Sequence, residues 1–271
     1  MSAEVAWLIA GMCAAGLFAG FIGGLFGVGG GTVVVPALYA VFTLLGVDES
    51  VRMHVAVGTS LSTIVSTSWR SLMAHTKAGA VDFEVLKAWA PWISLGAIAG
   101  AVLAGLVNAQ VLLLVFGGGL LLVAAQMGLA RPDWRWFAAL PTGAGRAAIA
   151  AAIGLLSALM GIGGGAFGVT TMTLCGRPIH QAVATASGFG AAIALPAALG
   201  YVTMGWGREG LPAWSVGFVS LPGFALLAAL TALTAPLGAR LAHSLPQQAL
   251  KRAFAMFLAL VAANMLREAF S

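Results

Sequence analysis

Apolar runs of about 20 residues, separated by short charged stretches, constrain this chain more than any other feature. At about 1.5 Å rise per residue, a helix of that length crosses the roughly 30 Å hydrocarbon core of a bilayer. The alternating strands of roughly ten residues that a membrane barrel needs are not seen. Hydrophobic residues make up 61% of the chain and charged residues 8%. Ordinary soluble domains carry roughly 25% charged residues. The fold class is therefore an all-α polytopic membrane protein, with about eight hydrophobic segments by simple count. The net charge of +5 does not point to nucleic acid, because the basic residues are scattered between apolar spans, where they set orientation. Cys13 and Cys175 lie in separate apolar stretches and read as buried thiols without a disulfide. The start of the chain lacks a basic n-region and reads as the first membrane segment, with no soluble catalytic domain attached at either end.

The sequence repeats itself. "GVGGG" at 27–31 recurs as "GIGGG" at 161–165, and "RMHVAVGTS" at 52–60 recurs as "RPIHQAVATAS" at 177–187. "GAVLAGLVNAQVLLLVF" at 100–116 aligns without gaps with "GARLAHSLPQQALKRAF" at 238–254. Three blocks in the same order divide the chain into a first transmembrane repeat at 1–130, a linker at 131–145 and a second repeat at 146–271. Helices are expected at about 5–27, 32–46, 53–74, 84–107 and 110–130, then at about 146–161, 166–176, 180–204, 213–243 and 248–267. The segment 166–176 is too short to span and must be a half-helix. Its counterpart after Gly31 is expected to bend at Pro36 or to end in a longer turn.

Positive charge relates the two halves. If every broken segment counts as one crossing, the thirteen Lys and Arg split eight to five between the two sides. If each glycine-broken segment is instead a re-entrant hairpin, each half has three crossings and the halves are inverted. Ten basic residues then share one side, and only Arg52, Arg208 and Arg267 lie on the other. The second arrangement obeys the positive-inside rule better, and it puts both termini outside the inner (plasma) membrane.

Triple glycine breaks a helix, and irregular backbone at membrane depth is tolerated only where it is buried in protein or lines a wet cavity. Half-helices starting at Thr32 and Ala166 would aim unpaired N–H groups and positive dipole ends at a common site near the midplane, which suits an anion. The expected binding set is Gly29, Gly30, Gly31 and Thr32 with Gly163, Gly164, Gly165 and Ala166. Thr59 and Ser60, with Thr185 and Ser187 from the second copy, are expected to join it. The spaced pairs Gly20/Gly24, Gly23/Gly27 and Gly96/Gly100 read as close helix packing. Thr59, Ser62, Thr63, Ser66 and Arg70 form a polar stripe that serves equally as a pathway lining or as interhelical packing. Arg52, His54, Arg177 and His180 are candidates for gating or coupling, with topology anchoring and capping as their plainer readings. All eight acidic residues fall in loops or at segment ends, which argues against a cation site or carboxylate proton relay in the membrane. No metal or cofactor is implied.

"GFIGGLFGVGGGTVVVPAL", "HVAVGTSLSTIVSTSWRSLMAHTKAGAVDF", "GIGGGAFGV" and the C-terminal stretch from "LPAWSVGFVSLPG" to "LALVAANML" resemble the TauE/SafE sulfite exporter family. The resemblance implies a plasma-membrane transporter of small sulfur-containing anions, including sulfite, sulfoacetate and other organosulfonates, without fixing substrate or direction; the expectation is an exporter. The family's glycine segments match Gly27–Gly31 and Gly161–Gly165, and its Gly-Thr-Ser element matches Gly58-Thr59-Ser60. The second copy departs to Ala184-Thr185-Ala186, so the two half-sites need not contribute equally. An anion channel, or an importer of another small organic anion, is the alternative. An intramembrane Ser/His enzyme would need a buried acid that this sequence lacks. The expected partners are the anion and the lipid bilayer.

Overall fold

The computed structural model describes residues 3–26, 30–129, 139–241 and 247–270. It contains ten helices in the described residues, arranged as two sets of five. The first set is α1 (Ala3–Phe26), α2 (Gly31–Leu44), α3 (Glu49–Lys77), α4 (Phe83–Leu106) and α5 (Ala109–Leu129). The second is α6 (Gly143–Met160), α7 (Gly165–Leu174), α8 (Ile179–Met204), α9 (Leu221–Leu241) and α10 (Gln247–Phe270). Five of these are long and apolar enough to cross a membrane: α4, α5, α6, α8 and α9. The molecule is an all-α, multi-pass membrane protein.

Local signals account for the helix ends. The Asp48 carboxylate accepts the Ser50 N–H at 2.8 Å and starts α3 earlier than its hydropathy does. Asp82 caps α4 in the same way through Val85 N–H, at 3.1 Å. α2 continues through Pro36 to Leu44 instead of ending there. Pro196 sits inside α8 and removes the N–H that would have bonded to Ala192. Ser94 of α4 takes the freed Ala192 carbonyl at 2.8 Å, so the loss becomes an interhelical bond.

One expectation fails in shape. Residues 213–243 do not form a single helix: Ser215–Val216 (β1) and Val219–Ser220 (β2) make a small antiparallel pair before α9 begins. Gly217 has φ 55° and Trp214 φ 63°, conformations that a helix cannot contain. The pair lies on α3, where a Cβ at Gly58 would collide with the Phe218 carbonyl oxygen.

Packing follows the internal alignment. α1 pairs with α9, and their counterparts α6 and α4 pair likewise; α3 meets α8, and α5 meets α10. The glycine contacts are made twice. Gly20 abuts the Thr231 backbone while the aligned Gly154 abuts Ile93. Gly238 abuts the Phe21 carbonyl while the aligned Gly100 abuts Leu155. Gly24 sits on the Ala235 carbonyl and Gly96 on that of Ala151, so the packing role expected of Gly20/Gly24 and Gly96/Gly100 holds. Among the described residues, α3 and α8 bury more residues than α4 or α6, and Leu61, Ile64, Phe189 and Ile193 are fully buried.

Overpacking a site of this kind costs about 1–3 kcal/mol or more. Gly154→Leu should therefore lower the unfolding midpoint of the detergent-solubilised protein. Gly118→Leu, at a position with nothing within 4 Å, should leave it unchanged in the same thermal melt.

Candidate functional site

The two glycine breaks meet. Gly30 caps α2 with φ 75° and ψ −8°, and Gly164 caps α7 with φ 65° and ψ −5°, neither with a side-chain cap. This left-handed geometry suits only glycine and gives both half-helices the same entry. They begin at Gly31 and Gly165, one residue before the expected Thr32 and Ala166. Gly29 lies outside the described residues. Gly31 rests against the Gly161 carbonyl and the Ile162 Cα, so the start of α2 touches the turn that ends α6. Gly161, with φ 66°, closes α6, and the Ile162 N–H returns to the Ser157 carbonyl at 3.0 Å. Ser60 of α3 donates to the Gly161 carbonyl at 2.8 Å and ties a third helix to the crossing. Residues 30–32 and 161–166 are all buried. Gly163 belongs to this turn, with its carbonyl 3.1 Å from where a Cβ at Gly190 would stand. α2 and α7 are not themselves a packed pair: α2 lies on α1 and α3, and α7 lies on α8.

Two buried hydroxyls stand out at the half-helix starts. Thr32 is 0% exposed and its Oγ1 has no hydrogen-bond partner among the described residues. Ser157, also 0% exposed, has an unpartnered Oγ and lies 3.3 Å from where a Cβ at Gly164 would stand. A buried hydroxyl left unpaired costs roughly 1–3 kcal/mol, so two at one crossing are unusual. The N–H groups of Gly31, Thr32, Gly165 and Ala166 also have no carbonyl within their own helices. Ser157 escaped the sequence reading because its aligned partner is Gly23, and repeat matching hides a hydroxyl present in one copy only.

The structure gives Thr59 and Thr185 a shared structural task. Thr59 Oγ1 accepts the Ser220 N–H at 2.9 Å, and Thr185 Oγ1 accepts the Asp82 N–H at 2.9 Å. Ser220 and Asp82 are themselves aligned and lead into α9 and α4, so each central helix anchors a helix of the other half. Ser187 pairs with Ser71 at 3.1 Å, and Thr67 donates to Thr231 at 2.8 Å. The buried polar residues of α3 thus include a four-residue repeat, Thr59, Thr63, Thr67, Ser71 and His75, with His54, Ser60 and Ser68 buried beside it. It is not the stripe through Ser62, Ser66 and Arg70: Ser62 and Ser66 bond back to their own helix at Gly58 and Thr63, and Arg70 is exposed.

Three of the four gating candidates have local partners near helix ends. Arg52 donates to the Val47 carbonyl through Nε at 3.2 Å and Nη2 at 2.9 Å, with its guanidinium 5.7 Å from the Tyr39 ring centroid. His54 donates from Nε2 to the Ala104 and Val107 carbonyls, both at 3.1 Å, and so caps the end of α4. Arg177, between α7 and α8, pairs at 3.5 Å with Asp82 at the α3–α4 junction. His180 is exposed in the first turn of α8. Among the described residues, no acidic or basic side chain other than histidine is buried in the interior.

A family model described as "Sulfite exporter TauE/SafE" matches residues 12–265. The chain belongs to the TauE/SafE sulfite exporter family. A "Probable membrane transporter protein" of Haemophilus influenzae is 33% identical to this TauE/SafE chain over 250 residues, covering 92% of this chain and 95% of that protein. The "Probable membrane transporter protein YunE" of Bacillus subtilis is 32% identical over 177 residues, 59% of this chain and 65% of its own length. The similarly named MJ0441 of Methanocaldococcus jannaschii is 27% identical over 216 residues, 76% of each chain. No solved structure matches the chain. This TauE/SafE protein is a membrane transporter.

Losing either threonine anchor leaves a backbone N–H unsatisfied. Thr59→Val and Thr185→Val should each destabilise the protein by about 1–3 kcal/mol. Ser62→Ala should be near neutral in the same denaturation series.

Proposed function

We propose that this protein is a secondary transporter, working as an exporter, of a small sulfur-containing anion such as sulfite, sulfoacetate or another organosulfonate. The anion is held near the midplane of the inner (plasma) membrane between the glycine-capped starts of α2 and α7. The observation that carries this reading is the pair of buried, unpartnered hydroxyls, Thr32 and Ser157, beside those two helix starts. A sulfonate or sulfite offers three acceptor oxygens to such donors, and the positive ends of two helix dipoles favour its charge. No carboxylate opposes it: the described acidic residues all stand in loops or at helix ends.

Asymmetry is part of the reading. Thr32 has Ala166 as its counterpart and Ser157 has Gly23, so each half supplies one hydroxyl from a different element. The halves are inverted repeats with both termini outside, an arrangement that the reciprocal helix pairing and the positive-inside count support. An anion leaving a cell with a negative interior gains about 2.3 kcal/mol per charge for each 100 mV, so export needs no coupling ion.

A thermal-shift panel of sulfite, sulfoacetate, taurine, sulfate and lactate on the purified protein should show stabilisation by sulfite or sulfoacetate. Preference for a cation or a neutral solute overturns the anion assignment. Thr32→Val and Ser157→Ala should each cut anion flux in proteoliposomes by about tenfold, the effect of one hydrogen bond worth about 1.4 kcal/mol. Their unfolding midpoints should hold or rise, because replacing an unsatisfied hydroxyl with an apolar group removes a desolvation penalty.

A further inference from the structure

A second basic feature lies well away from the glycine crossing. A cavity of about 460 Å³ opens between the C-terminal ends of α3 and α9 and is lined by Arg70, Met73, His75, Lys77, Pro236 and Arg240. None of its lining residues is acidic. Among the described residues, none of its three cations forms an ion pair. Arg70 and Lys77 stand two turns apart on α3, and Pro236 and Arg240 one turn apart on α9, so both helices turn one face to the same hollow.

Two plainer explanations cover only part of this. Lys77 and Arg240 lie in the last turns of their helices, where the dipole favours a cation. That accounts for each charge alone, not for Arg70 or for their convergence. The repeated fold does not demand them either: extending the alignment through the helices pairs Arg70 with Pro196, Lys77 with Thr203 and Arg240 with Val102. The charge cluster therefore exists on one end of the molecule only. Trp69, beside Arg70, is 60% exposed, as expected of a side chain at the level of the lipid headgroups.

We propose that this cavity is a second anion site, which holds a tetrahedral oxyanion: the phosphate of an acidic phospholipid, or a free sulfate or phosphate. Three cations with no internal counter-charge recognise that chemistry, and Met73 and Pro236 give the hollow an apolar wall for the glycerol portion of a lipid. This site stands independently of the reading given to the glycine crossing.

The test uses the full-length protein and the variant R70Q/K77Q/R240Q in the same detergent. Native mass spectrometry with phosphatidylglycerol and phosphatidylcholine probes the lipid source, and thermal shift with inorganic sulfate and phosphate probes the free source. The expected result is about a tenfold preference for phosphatidylglycerol, or a midpoint raised by sulfate or phosphate, in the wild type and not in the triple variant. R240Q alone should change the response in the same direction, which keeps the result separate from any folding defect of the triple variant. T32V, which leaves the cavity intact, should retain the response. Equal responses in wild type and triple variant, or no response in either arm, overturn the proposal, as does a response lost in T32V.

Discussion

A helix that ends inside a bilayer leaves backbone groups that lipid cannot satisfy, and the centre of this molecule is organised around that constraint. After α6 the Gly161 and Ile162 N–H groups return to the Ala158 and Ser157 carbonyls, and Ser60 reaches across from α3 to donate to the Gly161 carbonyl. The start of α2 is pressed so closely on this turn that no side chain fits at Gly31. Each interruption is thereby covered by protein rather than lipid. What is left exposed to the protein interior is donors: the first N–H groups of two helices and two hydroxyls.

Among the described residues, the interior carries its polarity on hydroxyls and two histidines rather than on acidic or other basic side chains. The four-residue repeat down α3 turns a full-length helix into a rail of short side chains. Its hydroxyls bond to their own backbone, as Thr63 does to Thr59, or to a neighbour, as Thr67 does to Thr231. Such bonds contribute about 0.6 kcal/mol each on average in membranes, so none dominates. Their value is in fixing which helix lies against which. Ser94 on the carbonyl freed by Pro196 is the same device applied to a proline.

Most of the fold was readable from the repeats and the apolar runs, because helix length and glycine spacing are local quantities. The glycine runs locate the half-helix starts to within one residue, and the Gly20/Gly24 spacing signals the close packing on α9. The β pair at Ser215–Ser220 was not readable, since its apolar residues continue a helical run and only Gly217 hints at a break. The tertiary partners of Thr59 and Thr185 were equally hidden: their matched positions suggested a common role, but their acceptor bonds reach residues 161 and 103 positions away. Ser157 needed coordinates, because an unsatisfied hydroxyl is defined by what does not surround it.

The cross-anchoring by Thr59 and Thr185 has a consequence for how the molecule is built and moves. α1 lies with α9, α6 lies with α4, and each central helix holds the entry to a long helix of the opposite half. The two halves of the sequence are thus not two bodies in space. Any rigid unit that rocks during a transport cycle must be assembled from both halves, because parting them along the chain midpoint would break both anchors and both glycine seams together. By the same logic, one half alone would expose the faces meant for the other.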